Sequence, residues 1–115
     1  MHTIVETPVF IRSAKQAGVT EAELDHIKSV LAQTPDAGNE ISGTGGARKI
    51  RFAARGKGKS GGYRVISFYS GEDIPVFLLD VYAKGEKINL TQQEKKILKN
   101  LLADIVEVYR SRGDE

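Results

Sequence analysis

The 115 residues contain no cysteine and no tryptophan, and only one methionine, two histidines and three prolines. Without thiols, disulfides and thiolate metal sites are excluded. No apolar run approaches the roughly 18 residues of a membrane-spanning helix, and no basic, then apolar, leader opens the sequence. A soluble, cytoplasmic protein is therefore expected, and the length suits one domain, 1–115, with its own core. His2 is terminal, and His26 lies between Asp25 and Ile27 in a helical pattern, where a lone histidine is usually structural or solvated. No zinc-ligand spacing and no Ser/His/Asp set is present. No metal or cofactor is expected, and any chemistry falls to Lys, Arg and Tyr.

Acid is missing from one long stretch. Between Ile41 and Gly71 there are seven basic residues, Arg48, Lys49, Arg51, Arg55, Lys57, Lys59 and Arg64, and no Asp or Glu. The rest of the chain holds ten basic and fifteen acidic residues, so the overall charge of +2 conceals a basic centre in an acidic frame. A local field of one sign suits a polyanion, because each neutralised phosphate releases condensed counterions.

Within that stretch, Gly58, Lys59 and Ser60 match the end of a phosphate-binding G-x-x-x-x-G-K-[ST] loop. The first glycine of the pattern would stand where Ala53 is, and the following "GGYRVISFY" is β-branched and aromatic rather than helix-forming. The segment is instead a glycine-rich basic turn between two strands.

Patterning gives the remaining elements. "TIVETPVFIR" (3–12) reads as a first strand, with Pro8 marking an edge or bulge. After "AKQAG", Thr20 and Glu23 form a capping box for a helix whose Leu24, Ile27, Val30 and Leu31 share a face, and Pro35 ends it. "DAGNEISGTGG" (36–46) is a loop by composition. "ARKIRFAAR" and "SGGYRVISFYSG" are strands, as is "DIPVFLLDVYAK", whose run Val76 to Leu79 suits burial on both faces. From Leu90, a Thr91/Glu94 capping box opens a long helix with an apolar stripe of Ile97, Leu98, Leu101, Leu102, Ile105 and Val108. The order β, α, three-stranded antiparallel meander, α defines an α+β domain with helices packed on one sheet.

Strand alternation sends Ile50 and Phe52 to one side and Lys49 and Arg51 to the other. A sheet holds such charges at fixed spacing, so that several converge on one phosphate. On the fourth strand the same rule groups Asp80, Tyr82 and Lys84, leaving Phe77, Leu79 and Val81 to the opposite side.

With "RKIRFA", "GKGKSGGYRVISFY" and "FLLDVYAKGEKINLT" in this order, the chain resembles the RelE/ParE superfamily of type II toxin–antitoxin toxins, and within it the HigB-like, RelE-type branch. The resemblance spans almost the whole chain and is strongest from Gly45 to Thr91. It implies a RelE-like fold, a small antiparallel or mixed sheet of about four strands with N-terminal helices and a C-terminal helix packed on it. It also implies a ribosome-dependent endoribonuclease that cuts mRNA in the ribosomal A site, held in check by a HigA-like, helix-turn-helix antitoxin. Lys49 and Arg51 match the family's paired basic positions, and Arg64 its third-strand arginine. Where the family often has a further arginine, this sequence offers Lys84 and Lys87; for the catalytic tyrosine it offers Tyr82 or Tyr109. Arg48, Arg55, Lys57 and Lys59 are the expected RNA and ribosome contacts. The alternatives are a gyrase-directed, ParE-like toxin of the same fold and a noncatalytic RNA-binding module.

The chemistry agrees with the implied activity. Attack by an internal 2′-OH requires a base, stabilisation of a dianionic phosphorane, and a proton for the departing 5′-oxygen. Arginine suits the second task through bidentate charge-assisted hydrogen bonds, and crowding among cations favours a lysine's neutral, basic form.

Overall fold

The computed structural model describes residues 2–53, 62–83 and 90–113. In chain order the elements are β1 (Ile4–Glu6), α1 (Pro8–Ala17), α2 (Glu21–Gln33), β2 (Asn39–Glu40), β3 (Ala47–Phe52), β4 (Tyr63–Phe68), β5 (Val76–Ala83) and α3 (Gln92–Gly113). The architecture is α+β, a mixed five-stranded sheet in the order β1-β5-β4-β3-β2 with helices on both faces. The antiparallel meander β3-β4-β5 is as expected. β1 joins its edge in parallel, and β2 closes the other edge antiparallel to β3.

The first strand is shorter than its composition suggests. It stops at Glu6, and Thr7 becomes the N-cap of α1: its hydroxyl accepts from the Phe10 N–H at 3.3 Å and donates to the Leu78 carbonyl at 2.8 Å. Pro8 then occupies the first helical turn, where its fixed φ is pre-organised and its missing N–H costs nothing. The proline thus starts a helix rather than marking a strand edge. Phe10 and Ala14, four residues apart, become its buried stripe. "AKQAG" is the end of the same helix, closed by Gly18 in the left-handed region at φ 75°.

α2 follows the sequence closely. The Thr20/Glu23 capping box is formed in both directions, at 2.9 and 3.1 Å, and the helix ends at Gln33, two residues before Pro35. Glu23 is buried and also accepts a 3.1 Å hydrogen bond from the Tyr63 hydroxyl, which ties the start of α2 to β4. The 36–46 segment, by contrast, is not all loop: Asn39 and Glu40 pair with Lys49 and Arg48. Two residues carry no periodicity to read; their conformation comes from the partner strand.

Two apolar layers sandwich the sheet. On one face α1 and α2 bring Phe10, Ile27 and Leu31 against Ile50, Phe52, Val65 and Leu78. On the other, α3 presses Leu102 into Ala47, Ile66, Phe68, Phe77 and Leu79. Each fully buried large aliphatic or aromatic side chain is worth about 1.5–3 kcal/mol relative to exposure. Val76 to Leu79 are buried without a break, as their run suggested.

β5 departs from strict alternation. The register steps from Ile66↔Asp80 to Ser67↔Leu78, leaving Leu79 with no residue opposite, a one-residue bulge. Leu79 and Asp80 therefore both lean toward α3. Phe77 and Leu79 lie on the same side as Asp80 and Tyr82, and Val81 alone of the three apolar residues faces α1 and α2.

Candidate functional site

Directly opposed residues on antiparallel strands point to the same face of a sheet. The register Arg51↔Arg64↔Tyr82 therefore places these three side chains in one transverse row across β3, β4 and β5. The next row inward is Lys49, Ile66 and Asp80. The polar residues of the second and fourth predicted strands thus share a side, the one that carries α3. Neighbouring strands lie about 4.8 Å apart, so the two arginines start roughly 5 Å from one another and Tyr82 about 10 Å from Arg51. A single phosphate placed over this row is within reach of both guanidinium groups.

The row sits at the end of the sheet where β3 leaves for β4 through 54–61 and β5 leaves for α3 through 84–89. Lys49 is half-buried and Arg51 exposed. Arg55, Lys57, Lys59, Lys84 and Lys87 lie outside the described residues. Arg51 is four residues from Arg55, and Tyr82 is two from Lys84. Arg48 is not in the row: opposed to Ser67, it belongs to the face of α1 and α2, with its Nη1 donating to the Gly38 carbonyl at 3.4 Å.

Tyr82 is half-buried between the basic row and the first turn of α3. Burial pushes the ionisation of its hydroxyl well above the ordinary tyrosine value, and the neighbouring Asp80 carboxylate, which accepts a hydrogen bond from it, and Glu94 push in the same direction. Asp80 is itself held by the Val81 N–H at 2.8 Å. Glu94 is also the reciprocal partner in the α3 capping box, accepting from Thr91 N–H at 2.9 Å while Thr91 Oγ1 accepts from Glu94 N–H at 3.1 Å. Tyr82 therefore keeps its proton across the physiological range. The two carboxylates around it were not among the candidate site residues; the i, i+2 spacing of Asp80 and Tyr82 signalled the first, and only the packing of α3 brings in Glu94.

Tyr109, the other candidate tyrosine, packs its ring against Phe77 with centroids 5.7 Å apart. Phe77 is five residues from Tyr82 along β5, roughly 16 Å at strand spacing. Tyr109 is a half-buried residue packed against the core at the opposite end. His26 stands edge-on to Phe52, on the α1/α2 face, and His2 makes a 3.3 Å contact with the Tyr69 hydroxyl; neither joins the row.

The sheet face thus brings two opposed arginines, a lysine and a protonated tyrosine together in a small α+β protein. The chain matches the family described as the RelE toxin of the RelE/RelB toxin–antitoxin system over residues 2–112, and it belongs to that family. It is accordingly a toxin whose partner is an antitoxin. No helix among the described residues is long and apolar enough to cross a membrane.

Proposed function

We propose that this toxin, acting as a single 1–115 unit in the cytoplasm and of the HigB-like branch, is a ribosome-dependent endonuclease that cuts mRNA in the A site. The observation that carries the reading is the Arg51–Arg64–Tyr82 row on the face that also holds Lys49. Arg51 and Arg64 clamp the scissile phosphate and stabilise the phosphorane. Lys49, or Lys87 from the neighbouring connection, takes the proton of the 2′-OH, whose oxygen attacks phosphorus and forms a 2′,3′-cyclic phosphate. The bond to the 5′-oxygen breaks, and Tyr82 or Lys84 supplies the proton that leaves a 5′-OH. To do so, Tyr82 turns its one hydroxyl proton from Asp80, which accepts it in the free toxin, to the leaving oxygen. Arg48, Arg55, Lys57 and Lys59 add contacts to the ribosome and its RNA.

The test is induction of the protein in cells with mapping of new RNA ends. Discrete cuts at codon-defined positions, absent with Arg64→Ala while the variant still co-sediments with ribosomes, are expected. DNA damage without such cuts would assign the gyrase-directed activity instead, and ribosome binding without cuts a noncatalytic module. Substituting Lys57 and Lys59 should weaken ribosome binding in a salt-dependent way, with cleavage following occupancy.

A further inference from the structure

The glycine-rich loop between β2 and β3 carries two lysines of α3 on its back. Thr44 is fully buried; its hydroxyl donates to the Ile41 carbonyl at 2.6 Å and accepts from the Ala47 N–H at 3.1 Å, which pins the loop to the α3 side of the sheet. A Cβ at Gly43 would touch Lys95 Cδ at 3.5 Å, and one at Gly45 would meet Lys99 Cγ at 3.3 Å, so both lysine stems lie along the loop. Stems laid on such a surface hold their ammonium heads at its rim. Lys95 is half-buried and Lys99 exposed. Glu94, one residue earlier, meets Tyr82 on β5, so the flank of α3 that bears the two lysines is the one toward β3. β3 presents Lys49 and Arg51 to the same side, with Arg64 beside them. None of these five cations is paired with a carboxylate among the described residues.

We infer that Lys95 and Lys99 form a second phosphate-binding site, which holds the backbone of the substrate RNA strand beside the phosphate in the arginine row. The inference rests on the nuclease reading and deepens it by naming where RNA beyond the reacting nucleotides is held. Three features select this occupant. First, the placement works against the helix: like charges at i, i+4 destabilise it by about 0.2–0.5 kcal/mol, and Lys95, four residues into α3, opposes the macrodipole. Charges kept at a local cost, unpaired and laid on a pinned loop, point to an anionic partner. Secondly, about 6 Å of helix axis separates the two lysines, a spacing comparable to that of successive phosphates in an extended strand. A basic track of this kind follows the backbone and accepts any sequence. Thirdly, Lys49 stands two residues nearer the loop than Arg51, between the row and the lysine flank. That continuity assigns the flank to the strand whose phosphate lies over Arg51 and Arg64, and not to ribosomal RNA.

The test compares the full-length toxin with Lys95→Gln/Lys99→Gln, with the charge-preserving Lys95→Arg/Lys99→Arg, and with Lys96→Gln, an exposed lysine that does not lie on the loop. Thermal melts establish that the variants fold. Binding of a short single-stranded RNA, 2′-O-methylated so that it cannot be cut, is followed by fluorescence anisotropy across a salt series. Each phosphate contact on a single strand contributes about 0.7 to the slope of log affinity against log salt, so the glutamine pair should lower the slope by about 1.4. The arginine pair should restore it, and Lys96→Gln should leave it near the wild-type value. On ribosomes carrying cleavable mRNA, the loss in the glutamine pair should fall on KM rather than kcat. An unchanged salt slope would overturn the inference. An equal loss of affinity for ribosomes with and without mRNA would overturn it too, by giving the flank to ribosomal RNA, as would lost antitoxin affinity with the RNA slope intact, by giving it to the antitoxin. Failure of the nuclease reading is seen separately, as absence of RNA cuts by the wild type, with the salt slope still deciding the lysine flank.

Discussion

Arg51 on β3 and Arg64 on β4 are directly opposed in register, two cations held side by side on one sheet face. Directly opposed like charges destabilise a sheet pair by a few tenths to about 1 kcal/mol. The pair stands because the cores on both faces carry the strands.

Arg51→Thr should therefore stabilise the free protein by about 0.2–1 kcal/mol while removing cleavage, since threonine suits a strand and relieves the repulsion. Thermal unfolding at low and high salt checks it. The gain should shrink as salt screens the wild-type pair, and a variant less stable than wild type would show that the arginine stems contribute more by packing than their charges cost.

Tyr82 and Tyr63 both ionise above the ordinary tyrosine range, each chiefly through burial. For a group whose folded value is raised, the stabilisation is complete below the unfolded value of about 10 and is lost as pH climbs toward the folded value. Urea midpoints measured from pH 8 to pH 11.5 should fall from about pH 10 upward, and the fall should be shallower in Tyr82→Phe. Equal slopes in the two proteins would contradict the protected hydroxyl.

Gly38 holds φ at 91°, and a Cβ there would meet Ile50 Cγ1 and the Lys49 carbonyl oxygen, the latter at 2.6 Å. Gly38→Ala should cost about 2–4 kcal/mol, from the left-handed backbone and the clash together. Because the clash falls on the strand that carries Lys49 and Arg51, the loss should appear both in the melting temperature and in cleavage. Gly18, with open space around its Cβ position, serves as the control: alanine there should cost only the backbone strain.

Ser67 is fully buried, and its hydroxyl has no hydrogen-bond partner among the described residues. Removing an unsatisfied buried hydroxyl relieves a desolvation penalty, so Ser67→Ala should be neutral or up to about 1 kcal/mol stabilising in chemical denaturation. A loss above that would reveal a bond made by Oγ.

Much of this molecule is legible before it folds. Capping boxes are local hydrogen-bond circuits, and both, Thr20/Glu23 and Thr91/Glu94, form as their spacing dictates. The buried run of β5 and the split of Ile50 and Phe52 from Lys49 and Arg51 likewise follow from the two-residue strand period. The run "PVFIR" misled because β-branched and aromatic residues suit either state; a hydroxyl at Thr7 bonded to a carbonyl seventy-one residues away decided for the helix.

The sequence by itself determined that the centre of the chain is cationic, that a lysine and an arginine share a strand face, and which segments are strands and helices over most of the chain, because these depend on neighbours a few residues apart. Only the tertiary structure decided that Arg64 stands opposite Arg51, that the bulge at Leu79 puts Phe77 and Leu79 on the same face as Tyr82, and that Glu94 closes on the same tyrosine. Those facts are set by inter-strand register and by where α3 lands. Register and docking are fixed by packing between distant segments, where a shift of one residue would turn every side chain to the other face.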